Sequence, residues 1–130
     1  MATLKISDLS VGDWVGYNGK SYRTVIVDAL DQTATIFGND EQGDIHIEQL
    51  APIPITAEIL EKNGFVKNGE YNEWSTGNWD DIPFIGISLS RQSMRIKNFG
   101  TDIFLDNEVI YVHQLQRALR LAGVNKEINL

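Results

Sequence analysis

The segment "DIHIE" sets Asp44, His46 and Glu48 at alternate positions. On a β-strand these residues share one face, with Ile45 and Ile47 on the other. A histidine between two carboxylates supplies the ligand types of a divalent-metal site, or a general base with an orienting acid. An amphipathic strand showing its wet side gives the same pattern with no chemistry attached. Side chains two apart on a flat strand also lie about 7 Å apart, too far for chelation unless a second segment contributes. The other histidine, His113, lies in "YVHQLQRALRLAG". At helical spacing it joins Arg117 and Arg120 in a stripe that Arg91, Arg95 and Lys97 extend into a patch able to read a carboxylate or phosphate. A solvated helix face is the alternative, because arginines near a helix C-terminus are favoured by the helix dipole. A third group, Tyr71, Trp74 and Trp79, gathers at the turn "STGN" beside Asp80 and Asp81. Aromatic residues at such a turn anchor a protein partner, or close the core of the sheet they stand on.

Motifs of catalysis are missing. "GISLS" has Gly86 and Ser88 but not the closing glycine of a nucleophile elbow. Glycines 12, 16 and 19 match neither a dinucleotide-binding nor a phosphate-binding loop, and no HExxH occurs. The acidic "NDEQGD" lacks the ligand spacing of a calcium loop. With no cysteine, the chain has no disulfide, thiolate zinc site or cysteine nucleophile. No cofactor is expected. The net charge of −7 makes nucleic acid a poor default partner, since phosphate contacts need clustered Lys and Arg. Residues 1–65 hold four Lys/Arg against ten Asp/Glu and residues 66–130 seven against eight, so a basic surface belongs to the second half.

The elements that must position these groups are short. At 42% hydrophobic and 22% charged, the composition is that of an ordinary globular protein. The start, "MATLKISDLSVGDW", alternates apolar and polar residues and lacks the apolar run of a signal peptide. No run reaches the roughly 18 apolar residues of a membrane span. Asn18-Gly19, between two apolar runs, is a strong hairpin signal. "ALDQTA" is a second turn, and "QTATIFG" and "GDIHIEQL" read as strands around the loop "NDEQ". Strands this short suit a small, strongly bent barrel, with Trp14 of "GDWV" in its core.

In "PIPITAEILEKNGF", Thr56 caps a short helix over residues 57–63, Ile55 staples to Leu60, and Gly64 ends the helix with Phe65 folding back. "EYNEW", "IPFIGISLS", "RQSMRIKNF", "TDIFL" and "EVIY" read as further strands. In these, Ile85, Ile87 and Leu89 alternate with Gly86, Ser88 and Ser90, and Met94 and Ile96 oppose Arg91, Arg95 and Lys97. At 100° per residue, Tyr111, Val112, Leu115, Ala118, Leu119 and Ala122 fall in one apolar arc that closes a core, with Gly123 as the stop.

"PIPITAEILEKNGF" and "YVHQLQRALRLAG" in that order, with the "GDWV" opening, resemble small uncharacterised proteins of prophages and mobile elements of gut bacteria, from about Gly12 to the C-terminus. The resemblance implies a small cytoplasmic protein of a mobile element and brings no functional residue with it.

The expected fold class is α+β: a small N-terminal Src-homology-3-like β-barrel over residues 1–55, a connector helix over 56–65, and a C-terminal antiparallel sheet packed by the last helix over 66–130. Lobes of this size bury only about 60% of their unfolded surface, so they are expected to pack together. The expected role is non-catalytic: an interaction module that binds a protein partner, not nucleic acid or a membrane, through a sheet edge or the Trp74/Trp79 loop. Nucleic-acid association through the basic residues, and a metal protein or enzyme using Asp44, His46 and Glu48, are the alternatives.

Overall fold

A computed structural model of the chain describes residues 4–68, 72–76, 83–106 and 109–130. Among these residues are two antiparallel sheets and two α-helices, a mostly-sheet α+β architecture. Two compact units are present: Met1–Ile53 with Tyr111–Gln114, and Pro54–Ile110 with Leu115–Leu130.

The first unit is a meander of β1 (Trp14–Tyr17), β2 (Lys20–Asp28), β3 (Thr33–Gly38) and β4 (Glu41–His46), paired in that order. Asn18 and Gly19 turn between β1 and β2 with φ of 50° and 76°, the left-handed pair that a two-residue hairpin requires. Asn39 and Asp40 repeat the device at 50° and 62°. "NDEQ" is therefore a two-residue turn, and β4 begins at Glu41, earlier than expected. It also ends earlier. Ile47–Gln49 form a 3-10 turn whose Glu48 amide donates to His46 Nδ1 at 3.3 Å. The next residues return to β1, where Gly16 and Ala51 exchange backbone hydrogen bonds of 2.8 and 2.9 Å. Among the described residues this is a single bridge and the sheet stays open.

The inner face of the sheet buries Val15, Tyr22, Ala34 and Ile36, with Leu4, Leu9, Ile47 and Leu50 from the flanking segments completing the core. One irregularity decides what faces outward. The pairing of β2 with β3 jumps from Thr24↔Ile36 to Ile26↔Thr35, leaving Val25 as a bulge. An extra residue flips the facing of everything after it. Thr24 and Val27 thus point to the core, and Ile26 is turned out with 59% of its surface exposed.

In the second unit, α1 (Ala57–Lys62) starts at Thr56, whose Oγ1 accepts the Ile59 amide at 3.3 Å. It ends as the sequence indicates. Gly64 takes φ +83°, the Phe65 amide donates to the Leu60 carbonyl and the Gly64 amide to that of Glu61. Asn63 adds a tie the sequence does not announce: its side-chain amide exchanges two 2.7 Å hydrogen bonds with the backbone of Asn129. The sheet runs β5 (Val66–Asn68), β6 (Glu73–Thr76), β7 (Phe84–Ser88), β8 (Ser93–Asn98), β9 (Thr101–Asp106). β5 has no counterpart in the sequence reading. The described part of "EYNEW" contributes a strand from Glu73, and the described part of "EVIY" carries none. The alternation of Ile85 and Ile87 with Gly86 and Ser88 does not leave one face of β7 to solvent, since Phe84 and Ser88 are buried along with the isoleucines.

The last helix, α2 (Val112–Leu121), begins with the Tyr111 amide donating to Gln114 Oε1 at 2.9 Å, one half of a capping box. It stops at Gly123 (φ +71°), with the Val124 amide on the Leu119 carbonyl and the Gly123 amide on that of Arg120. Val112, Leu115, Ala118, Leu119 and Ala122 are buried as the apolar arc requires, and Asn98 of β8 holds the Ala122 carbonyl at 2.7 Å.

Two substitutions test the left-handed positions. Gly123→Ala places a Cβ where φ is +71° and should destabilise by about 1 kcal/mol. Phe99, 84% exposed in the β8–β9 turn at φ +33°, gains nothing from its ring, so Phe99→Asn should stabilise by up to about 1 kcal/mol. Urea midpoints of the two variants should move in opposite directions.

Candidate functional site

The outward face of the first sheet is set by its register. Arg23, Phe37 and Gln42 form one row across β2, β3 and β4, and Trp14 on β1 extends it beyond Arg23. Ile26, Thr35 and Asp44 form the next row, and Asp28, Thr33 and His46 the last. Phe37 is 53% exposed and sits diagonally across from Ile26 at the reach of neighbouring cross-strand side chains. The Arg23 guanidinium lies 4.6 Å from the centre of the Trp14 ring, a cation–π contact. Trp14 therefore stands half-buried on the outside, which corrects its expected place in the core. An aromatic, a cation, a second aromatic and an isoleucine thus share one open surface, edged by Asp28 and Asp44.

The metal reading loses its geometry on the same strand. Asp44 and His46 share the outward face, but Glu48 has left the strand for the 3-10 turn, where His46 Nδ1 accepts its amide. Asp44 Oδ1 accepts the Thr35 hydroxyl proton. Among the described residues no three His, Cys, Asp or Glu side chains come together as a metal site.

The basic stripe is not assembled as expected either. His113 is 5% exposed and stacks on Tyr111, with ring centroids 6.0 Å apart, so it takes no part in the exposed side of α2. Arg117 and Arg120 do face outward. Arg91 lies in the β7–β8 turn rather than on β8, while Lys97 is half-buried on that strand. Arg95 holds Asp102 of the adjacent strand through Nε at 2.9 Å and Nη2 at 2.6 Å. That two-pronged bond keeps the Asp102 carboxyl below its ordinary value, with the charges of Arg95 and Lys97 adding to it. Of the aromatic group, Tyr71 and Trp79 lie outside the described residues, as do Asp80 and Asp81. Trp74 is 8% exposed in β6, in a row with Ile87, Met94 and Leu105, and its indole donates to Asn72 Oδ1 at 2.9 Å. It is a core residue, which corrects its assignment to a binding loop.

Two hollows remain. One, of about 250 Å³, opens on the second sheet between Phe84, Phe104, Ser75, Ser93 and Arg95. The Phe84 ring covers Gly86 there, 3.0 Å from where a Cβ would stand. This volume falls below the roughly 300 Å³ at which small-molecule sites begin. The other, of about 110 Å³, lies in the first unit against Tyr22 and Glu41. Burial, and then the 3.0 Å hydrogen bond to Glu41, push the Tyr22 hydroxyl above its ordinary value, which keeps it a donor. The residues that matter most for the outer face, Ile26 and Phe37, have no signal in the sequence. A bulge decides the first, and Phe37 reads as an ordinary strand residue. No protein-family model, no curated protein and no solved structure matches the chain.

Trp74→Ala should cost about 3–5 kcal/mol in a denaturant titration, as a buried aromatic does; a surface anchor would cost little. The Arg95–Asp102 pair makes a separate prediction. A carboxyl whose folded value is lowered contributes stability above its unfolded value, near 3.8, and loses it as pH falls through the folded value. The melting temperatures of the parent and Asp102→Asn should therefore differ at neutral pH and converge below pH 3.8.

Proposed function

We propose that the chain is a non-catalytic interaction module that binds another protein through the outward face of its first sheet. The observation that carries this reading is the β2 bulge, which turns Ile26 out beside Phe37. Burying either side chain would stabilise the first unit; both are held open instead. Exposed apolar side chains that adjoin one another and are rimmed by polar groups are characteristic of partner-binding surfaces.

The first unit is read as a partly closed barrel of the Src-homology-3 type. Four short strands, a bulge that bends β2, a 3-10 turn after β4 and the return of Ala51 onto β1 support that reading. Fold type by itself assigns no activity. The motif resemblance suggests that the partner is another cytoplasmic protein met by a mobile element. No helix of the described residues is long and apolar enough to cross a membrane.

Nucleic-acid binding is the weaker reading, because Arg95 is already engaged by Asp102 and His113 is buried. The test of the interaction reading is capture. The parent chain and an Ile26→Thr/Phe37→Thr variant, immobilised and passed over extract from cells that carry the gene, should melt alike, since both side chains are exposed. Only the parent should retain a partner. Equal retention by both, or by neither, would remove the proposed surface.

A further inference from the structure

We propose that β4 is a docking edge for an extended, Lys- or Arg-bearing segment of a partner protein, which joins the first sheet as an added strand. This rests on the interaction-module reading and names the chemistry of the partner.

β4 is the end strand of its sheet and pairs with β3 alone among the described residues. Its hairpin has a two-residue loop, so Gly38 and Glu41 form the first hydrogen-bonded pair and the pattern alternates from there. Ile36↔Gly43 and Ala34↔Ile45 are then bonded pairs. The amides of Gln42, Asp44 and His46 and the carbonyls of Gln42 and Asp44 point away from β3, to the open side, while the His46 carbonyl begins the 3-10 turn. These same three residues have exposed side chains on the outward face. One added strand would therefore meet free backbone groups and the functional face together, as in peptide recognition by strand addition.

Charge selects the occupant. No Lys or Arg occurs between Arg23 and Lys62, whereas Asp40, Glu41, Asp44 and Glu48 crowd β4 and its two ends. A second copy of the chain pairing edge to edge would set these carboxylates against one another, and like charges directly across a ladder are destabilising. A segment with Lys or Arg at alternate positions meets Asp44 as an opposite-charge cross-strand neighbour. The intervening backbone continues the ladder, and an apolar residue can reach Phe37. Charges on an open edge commonly serve to prevent sheet-to-sheet association. Here they also leave one class of strand welcome.

Random dodecapeptides displayed against the full chain provide the probe. Selected sequences should carry more Lys and Arg than Asp and Glu. Titrated into isotope-labelled chain, they should shift the amides of Gln42, Asp44 and His46 foremost. Gln42→Pro removes an outward N–H without removing a bond to β3, and should abolish binding. Asp44→Lys leaves the edge intact and should weaken basic peptides about tenfold, with a gain for acidic ones. Unchanged melting curves establish that both variants fold. Binders without basic bias, shifts confined to another surface, or indifference to both substitutions would overturn the docking edge while leaving an interaction module in place. If no peptide is selected, the edge is again overturned, and the capture experiment alone decides the broader reading.

Discussion

Two consecutive left-handed residues are a costly demand on an L-polypeptide, and the arrangement of this protein depends on meeting it three times. Asn18-Gly19, Asn39-Asp40 and Phe99-Gly100 each turn a hairpin in two residues with φ positive at both. Such turns leave no slack, so each fixes the register of the strands it joins. Two further hairpins use a second scheme. Residues 29–32 and 89–92 each close in four residues and end on a left-handed glutamine, Gln32 or Gln92. The residue before each loop caps it: Asp28 accepts the amides of Leu30 and Asp31, and Ser88 accepts that of Arg91. A shift of one residue at any of these turns would exchange the inner and outer faces. The row of Trp14, Arg23, Phe37 and Gln42 exists because none of them slips.

What the sequence makes legible is whatever is decided locally. Thr56, Gly64 and Gly123 act through bonds that close within a few residues, and each does what its type and position indicate. The apolar arc of α2 is legible for the same reason, since periodicity is a property of neighbours along the chain. What fails does so where a distant partner decides. His113 lies opposite the arc yet is buried, while Arg117 and Arg120, at neighbouring angles further along the helix, are exposed: what covers the first turn of α2 is set by the chain around it and not by helical periodicity. Trp74 and Trp14 change places for a related reason: one faces the core row of a sheet and the other does not, and composition cannot tell the two apart. The bulge at Val25 has no glycine to announce it and resets the facing of the rest of β2.

The same reasoning separates the candidate site from the residues that first attract notice. Histidine, arginine and tryptophan stand out by type, but several of them among the described residues are occupied. His46 caps a turn, Arg95 holds Asp102, Arg23 rests on Trp14 and Trp74 fills a core. The surface left open is made of ordinary residues whose placement, not identity, is unusual. An isoleucine and a phenylalanine lie in solvent above a strand whose acidic neighbours have no nearby positive counterpart in the sequence. Binding by such a surface requires no perturbed acid or base.

The Phe84 ring over Gly86 has a consequence for descent. At 86 a methyl group would begin 3.0 Å from the ring edge, tighter than ordinary contact, so the far end of the Phe84 ring would have to shift to admit it. A smaller residue at 84 would lift that constraint; in the opposite order the ring has to give way by a few tenths of an ångström. Change at 86 is therefore easier after change at 84 than before it.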